Sequence, residues 1–102
     1  MLDTLHYEDF APHVNTRFQM QLNEDTTLEI ELISVEDKSS SPRQEQFLLT
    51  FRAPLEAPPE QWLYQLRHEQ LGSGRLFLVP IARDEEGLTY EAVFNRKRKA
   101  EQ

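Results

Sequence analysis

Cysteine is absent from this 102-residue sequence, which excludes disulfide scaffolding, thiol redox chemistry and thiolate metal sites. Histidine is sparse: His6, His13 and His68 stand far apart, without the dense spacing of a metal motif. No apolar run approaches the roughly 18 residues a membrane helix needs. The opening MLDTLHYEDF is acidic where a signal peptide requires a basic flank and an apolar stretch. The expectation is a soluble cytoplasmic protein with no membrane partner. Glycine is scarce too, and Gly72, Gly74 and Gly87 lack the lysine-serine ending of a phosphate-cradling loop, so no cofactor is expected.

What is present suits one small folded domain. Hydrophobic residues make up 38% and charged residues 28% of the chain, a balance outside the disordered range. A chain this short buries roughly 60 to 68% of its unfolded surface, enough for a thin core. The net charge of −7 is uneven, because Arg96, Lys97, Arg98 and Lys99 form a basic C-terminal run. Residues 1–95 hold seven basic and 17 acidic side chains, a net of −10. That body repels phosphate backbones, so nucleic acid is not an expected partner. The sequence divides into a β domain over 1–95 and a basic, frayed tail over 96–102.

Along the chain the dominant period is two. Tyr7 and Phe10 first mark a single helical turn near Tyr7–Ala11, shortened by Pro12 and packed over one end of the core. Phe18, Met20 and Leu22 then alternate with polar neighbours, as do Leu28, Ile30 and Leu32, with Asn23–Asp25 as the turn between. Ile33 and Val35 fall in the wrong phase, which predicts a bulge. Asp37–Glu45 has no apolar residue and reads as a surface loop. Phe47, Leu49 and Phe51 carry a third strand, and Pro54, Pro58 and Pro59 end it, with Leu55 expected to anchor the connection. Trp62, Tyr64, Leu66 and His68 share one phase of a fourth strand, and Leu63, Gln65 and Arg67 the other; Leu71 pegs the loop that follows.

Residues 76–95, LFLVPIARDEEGLTYEAVFN, spell a β-hairpin. Its first strand is apolar on both faces, which predicts cover on both sides. Pro80 predicts an interruption of the ladder, and Gly87 a left-handed position in the turn. Six strands with mostly short turns give an all-β fold, a small antiparallel six-stranded barrel with a short N-terminal helical turn. A two-sheet sandwich is the alternative.

No residue set assembles a recognisable active site. His6, His13 and Asp9 could be drawn as a metal site, but Pro12 spoils the helical spacing, and no metal is expected. Asp84–Gly87 is too short for a calcium loop and reads as a solvent-facing tip. Glu29 and Glu31 project from one strand face, a permissive spacing for paired carboxylates that exposed strands also show routinely. Trp62 and Tyr64, with Arg52 and Arg67, form a candidate interaction surface; core packing is the plainer reading of the Trp. His6, Tyr7 and His68 form a candidate pocket at a barrel mouth.

Leu71-Gly72, Leu76-Phe77-Leu78-Val79-Pro80, Asp84, Gly87 and Tyr90-Glu91-Ala92-Val93-Phe94-Asn95 resemble the hallmark of a bacterial domain-of-unknown-function family of about this length. Phe10-Ala11-Pro12-His13 and Phe51-Arg52-Ala53-Pro54 resemble its other signatures. The resemblance implies an accessory or assembly role, in phage-tail-like or secreted-particle gene clusters, and no enzyme. The expected function is therefore a non-enzymatic structural or interaction protein, docking on a larger assembly or on itself. A small-molecule or glycan binding module using the barrel mouth is the alternative, with an enzyme using Glu29 and Glu31 third.

Overall fold

The computed structural model describes residues 1–38 and 41–97. Six strands, β1 (Arg17–Asn23), β2 (Thr26–Asp37), β3 (Gln44–Pro54), β4 (Trp62–His68), β5 (Gly72–Arg83) and β6 (Gly87–Lys97), follow a short N-terminal segment. They close into an antiparallel barrel in the order β1-β2-β3-β6-β5-β4, with β4 returning to β1. The alternating residues therefore have one inside: Phe18, Met20, Ile30, Leu32, Phe47, Leu49, Phe51, Leu66, Leu78 and Tyr90 are all buried. The sandwich alternative does not apply.

The seams differ in length. β3 and β6 pair continuously from Gln44↔Lys97 to Pro54↔Gly87, whereas β1 and β4 share only Gln19↔Arg67 and Met20↔Leu66. The register shift between Leu32 and Ser34 is the bulge that turns Val35 back toward the core. A second shift, between Pro80 and Ala82, falls where the missing proline donor interrupts the ladder.

Both barrel ends are stoppered. At one, α1 (Tyr7–Phe10) passes into a 3-10 turn over Ala11–His13, with Pro12 in its first turn, where no N–H is needed. Phe10 is fully buried between Phe47 and Phe94, with ring centroids 6.0 and 5.6 Å away. Leu2 closes the gap beside β5, and a Cβ on Gly74 would come within 2.6 Å of the Leu2 backbone nitrogen. At the other end, the β3–β4 connection must cross the barrel, because its strands lie on opposite sides of the closed order. Tyr64 donates its hydroxyl to the Glu60 carbonyl at 2.6 Å, and Tyr90 donates to that of Pro58. Ala57, not Leu55, is the buried anchor; Leu55 is exposed.

Four local expectations are corrected. Gly87 has no positive φ; it is small because a Cβ would lie 2.0 Å from the Ala53 carbonyl oxygen, while Gly72 takes the left-handed conformation at φ 91°. The polar run Asp37–Glu45 is not loop at its two ends, since Asp37 closes β2 and Gln44 and Glu45 open β3; Ser39 and Ser40 lie outside the described residues. Arg96 and Lys97 belong to β6 and not to a frayed tail, and residues 98–102 also lie outside the described set. The outer face of β5 is not covered, because Phe77 and Ile81 are exposed.

Candidate functional site

Glu45 is the residue whose placement most departs from its composition. Counting back by two from Phe47 puts it in the inward phase, and its side chain is fully buried at the stoppered mouth. A carboxylate there must be matched. His6 Nδ1 donates to Oε1 at 2.8 Å, the Tyr7 backbone N–H to Oε2 at 3.0 Å and Arg96 Nε to Oε1 at 3.3 Å. Arg96 also donates from Nη1 to the Asp3 carbonyl at 2.7 Å and from Nη2 to that of Leu5, with its guanidinium over the Phe47 and Phe94 rings. Burial pushes the Glu45 pKa up, but hydrogen bonds from His6 and Tyr7 and the nearby positive groups outweigh it and hold the carboxyl below its usual range. The cluster bolts the N-terminal segment to the barrel.

His68 is a second internal bolt. Its Nδ1 accepts the backbone N–H groups of Gln70 (3.0 Å) and Leu71 (3.1 Å) and so carries no proton. Nε2–H then donates to Thr16 Oγ1 at 2.9 Å, whose hydroxyl donates to the His13 carbonyl at 2.6 Å. Burial, with the neighbouring His13, holds its pKa below the ordinary value. Every polar atom of the ring is thus used in structure.

These contacts dismantle the candidate pocket. His6 and Tyr7 turn to Glu45 and Phe47, His68 turns to Thr16 and Phe18, and Phe10 is buried against Phe47 and Phe94. Asp9 accepts the His6 backbone N–H at 2.9 Å and the His13 ring packs against His68, and no metal-holding group of three occurs among the described residues. Glu29 and Glu31 stand on the outer wall, with Arg17 Nη1 2.6 Å from the first and Arg17 Nε 3.9 Å from the second.

The candidate interaction residues do not form one surface. Tyr64 is buried; Arg52 spans β3 and β6 to reach Thr89 and Asp84; Arg67 lies across the β1–β4 seam. Trp62 is exposed at 66%, so the core-lid reading of this ring is overturned. Beside it, sequence reasoning missed a surface built on the other phase. Leu63 pairs with Phe77, Val93 pairs with Leu48, and a shallow depression of about 310 Å³ is lined by Leu63, Phe77 and Val93 together. The row crosses β4, β5, β6 and β3 on the outside of the barrel, with Leu63, Phe77 and Val93 exposed at 44, 51 and 68%. The signal was present as an apolar first hairpin strand, read there as evidence of cover.

Residues 5–94 match the model of a domain of unknown function, DUF6916. The chain belongs to the DUF6916 family. No curated protein and no solved structure matches it. The family description carries no activity, so none transfers to this DUF6916 domain. The matched span runs from the bolted N-terminal segment to β6 and includes Glu45, His68 and the outer apolar row. The segments carrying the resemblance also meet in space: Phe51 pairs with Tyr90, Ala53 with Leu88 and Pro54 with Gly87. In this DUF6916 domain those residues serve packing. No helix among the described residues is long and apolar enough to cross a membrane.

Proposed function

We propose that this barrel is a non-enzymatic interaction module that docks, in the cytoplasm, on a larger protein assembly or on its own copy. The docking surface is the outer face of β4, β5 and β6. The observation that carries the reading is the exposed row of Leu63, Phe77 and Val93 on the outside of the barrel. Contiguous apolar side chains at a rigid sheet surface are an unfavourable use of water contact unless a partner removes them. The bolting of both barrel ends supports the same reading, since it spends the polar groups on rigidity. An assembly of the phage-tail-like kind is the class the sequence resemblance suggests.

The test is a photo-crosslinking amino acid at position 93, with position 21 on exposed β1 as control, in cells that make the protein naturally. A discrete protein adduct at 93 and none at 21 is expected. Equal or absent adducts at the two positions would remove the proposal.

A further inference from the structure

The flanks of the apolar row carry opposite charge. Along β5, Arg75 stands one outward step before Phe77; along β6, Glu91 stands one outward step before Val93. Because these strands run antiparallel, with Val79 opposite Glu91, the two steps lead in opposite directions from the row. Arg75 therefore lies on one side of it and Glu91 on the other. Neither forms an ion pair among the described residues, although Asp3 shares the rim with Arg75. Gln65 and Val79 beside the row and Thr50 opposite Glu91 are neutral, and the charged groups at its Leu48 end, Glu36 and Lys38, are paired with each other at 3.5 Å.

We propose that the occupant of this face is a second copy of the chain, related by a two-fold axis running along the apolar row. This rests on the docking reading above and specifies its partner. Rotation about that axis exchanges the flanks, so each Arg75 faces the other copy's Glu91, and each apolar row faces its own image. An axis along the strands would instead oppose arginine to arginine and glutamate to glutamate. The chosen geometry also keeps the strands of the two sheets near-parallel in line, the aligned packing that twisted sheets favour at about 10 Å separation. Three strands at about 4.8 Å spacing give a patch smaller than the ~800 Å² per partner of a standard interface. The dimer is accordingly weak and concentration-dependent, in about the micromolar range.

Sedimentation velocity of the full chain from about 1 to 500 μM, a range set by that affinity, tests it. A reversible monomer–dimer equilibrium is expected. Arg75→Glu and Glu91→Arg should each weaken it by at least about tenfold, and the double exchange should recover to within about threefold of the parent. Val93→Glu should abolish it while leaving the melting temperature in place. A monomer throughout, a dimer indifferent to Val93→Glu, or a double exchange no better than either single change would overturn the proposal. A monomer that still gives a Val93-specific adduct with a different protein in cells would overturn self-docking alone and leave the docking reading standing.

Discussion

Glu45 Oε1 lies 2.8 Å from Nδ1 of His6, joining the fully buried carboxylate of β3 to a ring that is half in water. The contact spans 39 positions of sequence and fixes the N-terminal segment over the barrel mouth. Removing the carboxylate leaves the Tyr7 N–H and the Arg96 guanidinium without their acceptor. Glu45→Ala should destabilise the fold by about 2–4 kcal/mol in urea titration. A loss below about 0.5 kcal/mol, the scale of an ordinary surface change, would show the bolt to be idle.

The same group sets an acid limit. Its folded pKa is depressed, so its stabilising contribution is fully present above the unfolded carboxyl value of about 4.3 and is lost as pH falls through the folded one. Melting temperatures measured between about pH 6 and 3, the window those values define, should fall less steeply for Glu45→Gln than for the parent. Identical slopes would place the acid sensitivity elsewhere.

His68 should dominate a separate, milder transition. It is held neutral in the fold, with a lowered pKa, so the unfolded chain binds its proton first. Stability is then complete above the unfolded value of about 6.5 and declines as pH drops from there toward the folded value. His68→Asn, which keeps an acceptor for Gln70 and Leu71, should flatten this region of the curve. NMR titration of the ring checks the assignment directly.

Gly87 and Gly74 are required for space, not for turn geometry. Gly87→Ala would drive its Cβ into the Ala53 carbonyl oxygen, and Gly74→Ala into the Leu2 backbone. Both should cost about 1–3 kcal/mol or more. They should separate in hydrogen exchange: Gly74→Ala loosens residues 2–13, whereas Gly87→Ala loosens the β3–β6 ladder. Protection lost in the same segment for both would contradict this.

Tyr90 ties the crossing loop to the barrel floor through the Pro58 carbonyl. Tyr90→Phe keeps the ring and loses the hydroxyl, for an expected cost of about 1 kcal/mol. Limited proteolysis within residues 55–61 should accelerate. Unchanged cleavage there would mean that Ala57 and Tyr64 hold the loop without help.

How much of this was legible depends on how far each feature reaches along the chain. Side-chain direction in a strand alternates with every residue, so the faces of Phe18–Leu22, Leu28–Leu32 and Phe47–Phe51 are written locally, as are the bulge after Leu32 and the break at Pro80. Those features determined antiparallel strands and a short helical turn, while the β1–β4 pairing in the tertiary structure decided for a closed barrel over a sandwich. The burial of Glu45, the anchoring of Arg96 and the use of Gly87 were not legible, because each depends on a residue dozens of positions away. Polar composition made Gln44 and Glu45 look like the end of a loop, until pairing with Lys97 and Arg96 of β6 placed them in β3.

The outer row makes the same division from the other side. The sequence by itself determined that Leu63, Phe77 and Val93 point opposite to Tyr64, Leu78 and Ala92, because period-two geometry is a property of the backbone alone. Only the tertiary structure decided that this second face is left in water, that three strands bring its residues into one row, and that Arg75 and Glu91 stand on opposite flanks. Cover and juxtaposition are set by which strands pair and in what register, and that choice is made by the whole closed sheet at once.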